Sequence, residues 1–202
     1  MKRMILALVV VVLGLSGCGI RRQNVHVQVP SLRVNPESGP QIVLASVTDS
    51  RKPLAGANLN PNEQARNVGG VIRGGGGIAV NLDNQSVADQ TRKIVIQALR
   101  GVGYKVIESG DPGIPRITVD ITNFHVDMPF NFWRAATYSQ KMLADVSANI
   151  AVTKDGAKRS FTVAGHGENI YQRVVEENWE VALDRAVADF TMKLQAQMAS
   201  NE

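Results

Sequence analysis

One cysteine, Cys18, and three histidines, His26, His125 and His166, bound the chemistry that side chains of this 202-residue chain could perform. A zinc centre needs three or four converging ligands. The histidines are far apart, and none pairs with another at helical metal spacing. His125 has Asp120 and Asp127 near it in sequence, and His166 has Glu168. A histidine–carboxylate site would therefore have to assemble in three dimensions. Ser139, Ser147 and Ser160 lack the Gly-x-Ser-x-Gly surroundings of a nucleophile elbow. Asp49 and Arg51 are placed to pair across a turn, with no nucleophile or histidine beside them in sequence. The glycine run Gly74 to Gly77 invites comparison with a phosphate-binding loop, but it continues as Ile78-Ala79-Val80-Asn81. The lysine and hydroxyl which that chemistry requires are missing. The expectation is a protein that is not an enzyme and has no metal or cofactor.

Cys18 stands at the end of a segment laid out for secretion. Lys2 and Arg3 form a charged start, Met4 to Leu13 is an apolar run, and Leu15-Ser16-Gly17-Cys18 follows. The tetrad resembles the bacterial lipobox. There the cysteine thiol is diacylated, the chain is cut before it, and the new α-amino group is acylated. The resemblance implies residues 1–17 as lipoprotein signal peptide and Cys18 as the lipidated first residue. Losing Lys2 and Arg3, two of 22 basic residues against 18 acidic ones, lowers the formal charge from +4 to +2. So small a surplus gives no argument for nucleic acid. The apolar run is shorter than the roughly 20 residues of a spanning helix. Several acyl chains on one residue hold far more firmly than one, at about 0.8 kcal/mol per buried CH₂. Gly19 follows the cysteine where an aspartate would imply retention at the inner membrane. That pattern implies the outer membrane and its periplasmic face.

The elements that must position these residues follow from periodicity and punctuation. Residues 18–40 read as lipidated cysteine and tether, broken by Pro30, Pro36 and Pro40, with an edge strand allowed at Val25, Val27 and Val29. Residues 41–202 read as a single domain. Its first strand covers 41–48, and a long loop over 52–83 holds one short strand at 68–73. A helix over 87–100 has Ser86 as N-cap and Gly101 as left-handed cap. Strands follow over 104–108, 116–126, 140–153 and 160–170, with Asp155-Gly156 as a hairpin turn. Between the second and third of these, Phe130, Phe132 and Trp133 crowd one connection. They either cap the end of the sheet or form a partner contact, since aromatic residues are enriched at interfaces. Gly165 and Gly167 mark a bulge or a close approach. A last helix over 176–198 buries Trp179, Leu183, Ala186, Val187, Phe190 and Leu194. The expected fold class is α+β: a two-layer domain with a mixed sheet of about five strands and two helices packed on one face.

In this order the elements resemble the YajG-like family of bacterial lipoproteins. The resemblance is carried by the lipobox and by a strand ending Val47-Thr48-Asp49-Ser50-Arg51. Further matches are a helix closing into Arg100-Gly101-Val102-Gly103-Tyr104, a long hairpin with Ala144-Asp145-Val146, and a final helix reaching Lys193. The glycine run at Gly74 departs from it. The family implies an outer-membrane lipoprotein without an assigned reaction, and Cys18 is the single functional residue that carries over. The functional expectation is a non-catalytic adaptor with an envelope protein as partner. A lipid or small-molecule carrier is the alternative, and an enzyme stands third.

Overall fold

The computed structural model describes residues 19–31, 38–55, 57–73, 76–129, 131, 133, 139–172 and 175–200. Cys18, Phe130 and Phe132 lie outside the described residues. Eleven elements follow in order: β1 Ile20–Val25, β2 Gln41–Asp49, α1 Pro61–Arg66, β3 Asn67–Arg73, β4 Gly76–Leu82, α2 Val87–Gly101, β5 Lys105–Ile107, β6 Arg116–Asp127, β7 Gln140–Lys154, β8 Ala157–Tyr171 and α3 Glu176–Ala199.

The sheet is built on β6. One edge of β6 pairs along its length with β7, which pairs in turn with β8, all antiparallel. The other edge divides. Its first half takes β2 in parallel, and β2 takes β5 in parallel. Its last turn takes β3 in parallel at Gly69 and Val126, and β3 leads through antiparallel β4 to β1. The mixed α+β class holds, but among the described residues the sheet has eight strands rather than about five, and there are three helices rather than two.

Each missing element has a physical reason. β1 lies within the stretch expected as tether. Its side chains are mostly polar (Arg21, Arg22, Gln23, Asn24), because its place is secured by backbone pairing to β4. β4 begins inside the glycine run that reads as loop. Gly70 and Gly77 sit at φ +127° and +143°, and a Cβ on either would lie about 2 Å from the carbonyl oxygen of Ile78 or Val71 on the facing strand. The glycines therefore let two strands approach where larger residues could not. α1 has six residues and none buried, so it carries no apolar period. It is held by a capping box, Asn60 with Glu63, and by Pro61 in its first turn.

α2 and α3 pack on one side of the sheet over a core that includes Trp179, Phe124, Phe190, Ile94 and Leu99. Ser86 caps α2 as expected. The left-handed residue after it is Gly103, at φ +92°, rather than Gly101. Tyr104 N donates to Leu99 O at 3.1 Å and Gly103 N to Arg100 O at 3.0 Å, the paired bonds of a Schellman motif. Asp155 and Gly156 take φ 51° and 80°, which suits the right-handed twist of the strands they join. Gly165 and Gly167 are where β8 meets α3. A Cβ at Gly167 would lie 2.1 Å from Ala182 O, and one at Gly165 2.2 Å from Ala186 O.

α3 also closes the sheet. Arg185, Asp189 and Lys193 recur every four residues, about 6 Å along a helix, close to the roughly 6.7 Å between alternate residues of a strand. They meet the outer edge of β8 in that order. Arg185 donates to Glu168 O, His166 N donates to Asp189 Oδ2 at 2.9 Å, and Lys193 Nζ donates to Ala164 O at 3.0 Å. The opposite flank of α3 receives the chain leaving β1. His26 N donates to Glu180 Oε1 at 2.7 Å and Gln28 N to Asp184 Oδ1 at 2.8 Å. Trp179 Nε1 donates to Gln23 Oε1 at 2.8 Å. The β8 edge and the chain leaving β1 are thus both fastened to one helix by side chains bonding to backbone.

Candidate functional site

The outer face of β6, β7 and β8, away from α2 and α3, brings both strand histidines into one row. His125 stands opposite Asp145, and Asp145 opposite His166. His166 Nδ1 is 2.8 Å from Asp145 Oδ1, with both side chains about half exposed. Next in register are Asp127, Leu143 and Glu168, and Lys141 forms an ion pair with Glu168. On the other side of the row, Thr122 Oγ1 is 3.0 Å from Ser147 Oγ, and Thr162 Oγ1 donates to Asn149 Oδ1 at 2.8 Å. Asp145, Asn149, Thr162, Ala164, His166 and Glu168 are all exposed.

His125 also borders a cleft of about 630 Å³ between the chain after β2, α1 and the end of β6. Gly69 lets its ring lie against the β3 backbone, since a Cβ there would be 2.6 Å from Cε1. Burial lowers the His125 pKa, partly countered by the Asp127 and Asp145 carboxylates, while Arg51 adds to the lowering. Burial raises the Asp127 pKa, and His125 opposes that rise.

Asp49 and Arg51 do pair, and the pair is a strut. Arg51 Nε and Nη2 each lie 2.8 Å from a different oxygen of Asp49. Arg51 Nη1 donates to Asn67 O at 2.7 Å and to Phe124 O at 3.0 Å. The guanidinium ties β2, β3 and β6 together, and most of its donors are spent in doing so. The sequence places no histidine beside this pair, yet the fold brings His125 to the same cleft.

Asp145 and His166 stand 21 positions apart, so spacing between neighbours along the chain does not show their partnership. The turn could have revealed it. Asp145 and His166 each lie ten residues from the Asp155-Gly156 turn, so a two-residue hairpin places them opposite each other. Nucleophilic catalysis by serine needs its hydroxyl bonded to a base. Ser147 is bonded to Thr122 rather than to a histidine, while Asp145 holds Nδ1 of His166, the nitrogen that a serine triad also gives to its carboxylate. Among the described residues no cluster of three or more metal-binding side chains has a metal-holding arrangement.

Of the aromatic trio, the structure describes Trp133, which is 76 % exposed on the β6–β7 connection. A second groove, of about 840 Å³, lies at the opposite end of the sheet among Ile42, Tyr104, Ile114, Phe161 and Met198, flanked by Lys154 and Lys158. No described helix is long and apolar enough to cross a membrane.

No family model matches the chain. No curated protein matches it either. Among solved structures, it is similar to an uncharacterised protein at TM-score 0.53 and 12 % identity, over 89 % of this chain and 99 % of that one. A Xanthomonas campestris protein of the DUF330 family matches at TM-score 0.46 and 16 % identity, over 89 % of this chain and 99 % of that one. A minor lipoprotein from Acinetobacter baumannii matches at TM-score 0.40 and 17 % identity, over 58 % of this chain and 88 % of that one. The first likeness shows a shared fold and nothing further.

Proposed function

We propose that this chain is a non-catalytic adaptor of the bacterial envelope, anchored through lipidated Cys18 at the periplasmic side of the outer membrane and presenting its outer sheet face to a protein partner. The lipobox-like tetrad and the resemblance to YajG-like lipoproteins support the anchor. The observation that carries the adaptor role is the outer face of the β7–β8 hairpin, where every outward side chain of β8 from Lys158 to Ile170 is exposed, with Asp145 and Asn149 of β7 exposed beside them. Its groups bond to each other across strands, so the face is ordered before any partner arrives. A preorganised surface loses less entropy on binding.

The test is a photoreactive side chain placed in living cells at Asn149 or Thr162, with Met192 on the exposed side of α3 as control. The adaptor reading expects one discrete protein adduct from the sheet positions and none from the control. Adducts of the same pattern from all three positions would contradict it.

A carrier of small amphiphiles is the second reading, favoured by the groove beside Phe161. There Arg159 stacks 5.1 Å from the ring centroid, and Lys154 and Lys158 stand at the rim. Such a groove suits an apolar chain with an anionic head. Native mass spectrometry of protein extracted from cells should find a bound lipid if this reading is right; a protein free of lipid that gains none on titration with fatty acid would remove it.

A further inference from the structure

The strand directions decide which end of the domain lies next to Cys18. β6 runs towards Asp127, and β3 runs parallel to it with Gly69 beside Val126. β4 returns from Gly76, and β1 runs parallel to β4 with Ile20 beside Gly77. Ile20 therefore stands at the end where β6 stops, β7 starts and β8 stops, with Gln140 opposite Tyr171. Cys18 precedes Ile20 by two positions. Two residues span at most about 7 Å. Of the stretch 18–40 expected as lipidated cysteine and tether, Gly19 alone separates Cys18 from β1.

The same end carries exposed apolar side chains. Trp133 is 76 % exposed on the β6–β7 connection, Ile170 is 55 % exposed beside the last residue of β8, and Val175 is 39 % exposed at the N-cap of α3. Arg21 on β1 adds an exposed cation. Indole rings favour the membrane–water interface, where an apolar body and a polar N–H are both accommodated.

We propose that this end of the domain docks on the lipid headgroup layer, with Trp133 at the interface and the β7–β8 hairpin pointing away from the bilayer. The proposal rests on the reading of Cys18 as a lipid anchor and adds the orientation that the anchor imposes. With the domain held within two residues of the surface, contacts too weak to bind a free protein act intramolecularly. β7 and β8 have 15 residues each. Strands of that length reach roughly 50 Å, which holds the Asp155-Gly156 turn well clear of the membrane.

The chain has two tryptophans, and Trp179 is fully buried, so Trp133 is the indole that lipid can reach. The experiment reconstitutes mature protein, extracted from cell envelopes, in phosphatidylcholine–phosphatidylglycerol vesicles with and without bromine on the acyl chains. The mass of the N-terminal peptide is read on the same sample. The expected result is an acylated Cys18 peptide and emission quenched in the brominated vesicles. That quenching disappears in Trp133→Phe and does not return when Lys158→Trp is added at the far end. An acylated protein whose emission is the same in both vesicles overturns the docking surface and leaves the anchor standing. Quenching of Lys158→Trp as strong as that of Trp133 overturns the end-on orientation. An unmodified cysteine overturns the anchor, and the docking proposal with it.

Discussion

Arg51 shows how a charged residue in a cleft can be part of the frame. Its side chain is only 11 % exposed and bonds to one carboxylate and two backbone carbonyls. Lysine cannot fork in this way. Arg51→Lys should therefore cost about 2 kcal/mol, on the scale of a hydrogen bond to a charged group. Urea denaturation measures this, and a change within error would show that the strut is dispensable. His125 makes a second prediction at this scale. Burial lowers its folded pKa below the ordinary 6.5. The unfolded chain then binds the proton more readily, so the His125 contribution to stability falls as pH drops below about 6.5 and levels off below the folded value. Asp127, whose folded pKa is raised, acts in the opposite direction at lower pH. His125→Gln should flatten the loss between neutral and mildly acid pH, as read from denaturation midpoints. An unchanged pH profile would mean the imidazole is not the group responsible. Of this site, the Asp49–Arg51 pair was legible in the sequence because its partners are two residues apart. The pairing of Asp145 with His166 was not legible from neighbour spacing, although the turn position contains its register.

At the scale of elements, α3 is the closing piece. It lies on β8 through Gly165 and Gly167, fastens the β8 edge with Arg185, Asp189 and Lys193, and holds the chain after β1 with Glu180 and Asp184. Burial raises the Asp184 pKa, and the bond from the Gln28 amide partly offsets this. Gly167→Ala should destabilise the fold by about 3 kcal/mol or more, since the added methyl meets helix backbone rather than a side chain that can turn away. Equal denaturation midpoints for the two proteins would refute the close approach. Exposed strand edges invite pairing with other chains. Removing the cover with Arg185→Ala, Asp189→Ala and Lys193→Ala together should give concentration-dependent oligomers in light scattering. A triple variant that remains folded and monomeric would show that the edge needs no cover. The apolar stripe of α3, the Ser86 cap and the alternation of β6 were readable because each is a local pattern. β1, α1 and β4 were not. One is polar and held by its neighbour's backbone, one is too short for a period, and one is built on glycines that usually signal a loop.

At the scale of the whole molecule, topology joins what the sequence could only place in a line. The stretch before β2 looked like a spacer because prolines break it, yet Val25 and Val27 are buried in the core. The division of β6 between β2 and β3 depends on long-range pairing that no short window records. Its consequence is a domain with the predicted anchor at one end, an uncovered polar face along the hairpin and an apolar groove at the far end. The central claim, an anchored adaptor, is tested most directly by partner recovery. The protein is tagged at its C-terminus, crosslinked in living cells and extracted from the envelope, beside Cys18→Ala treated identically. The account predicts a stoichiometric protein partner that is lost in the Cys18→Ala variant. Equal recovery of that partner by the unlipidated variant, or lipid in place of any protein, would contradict it.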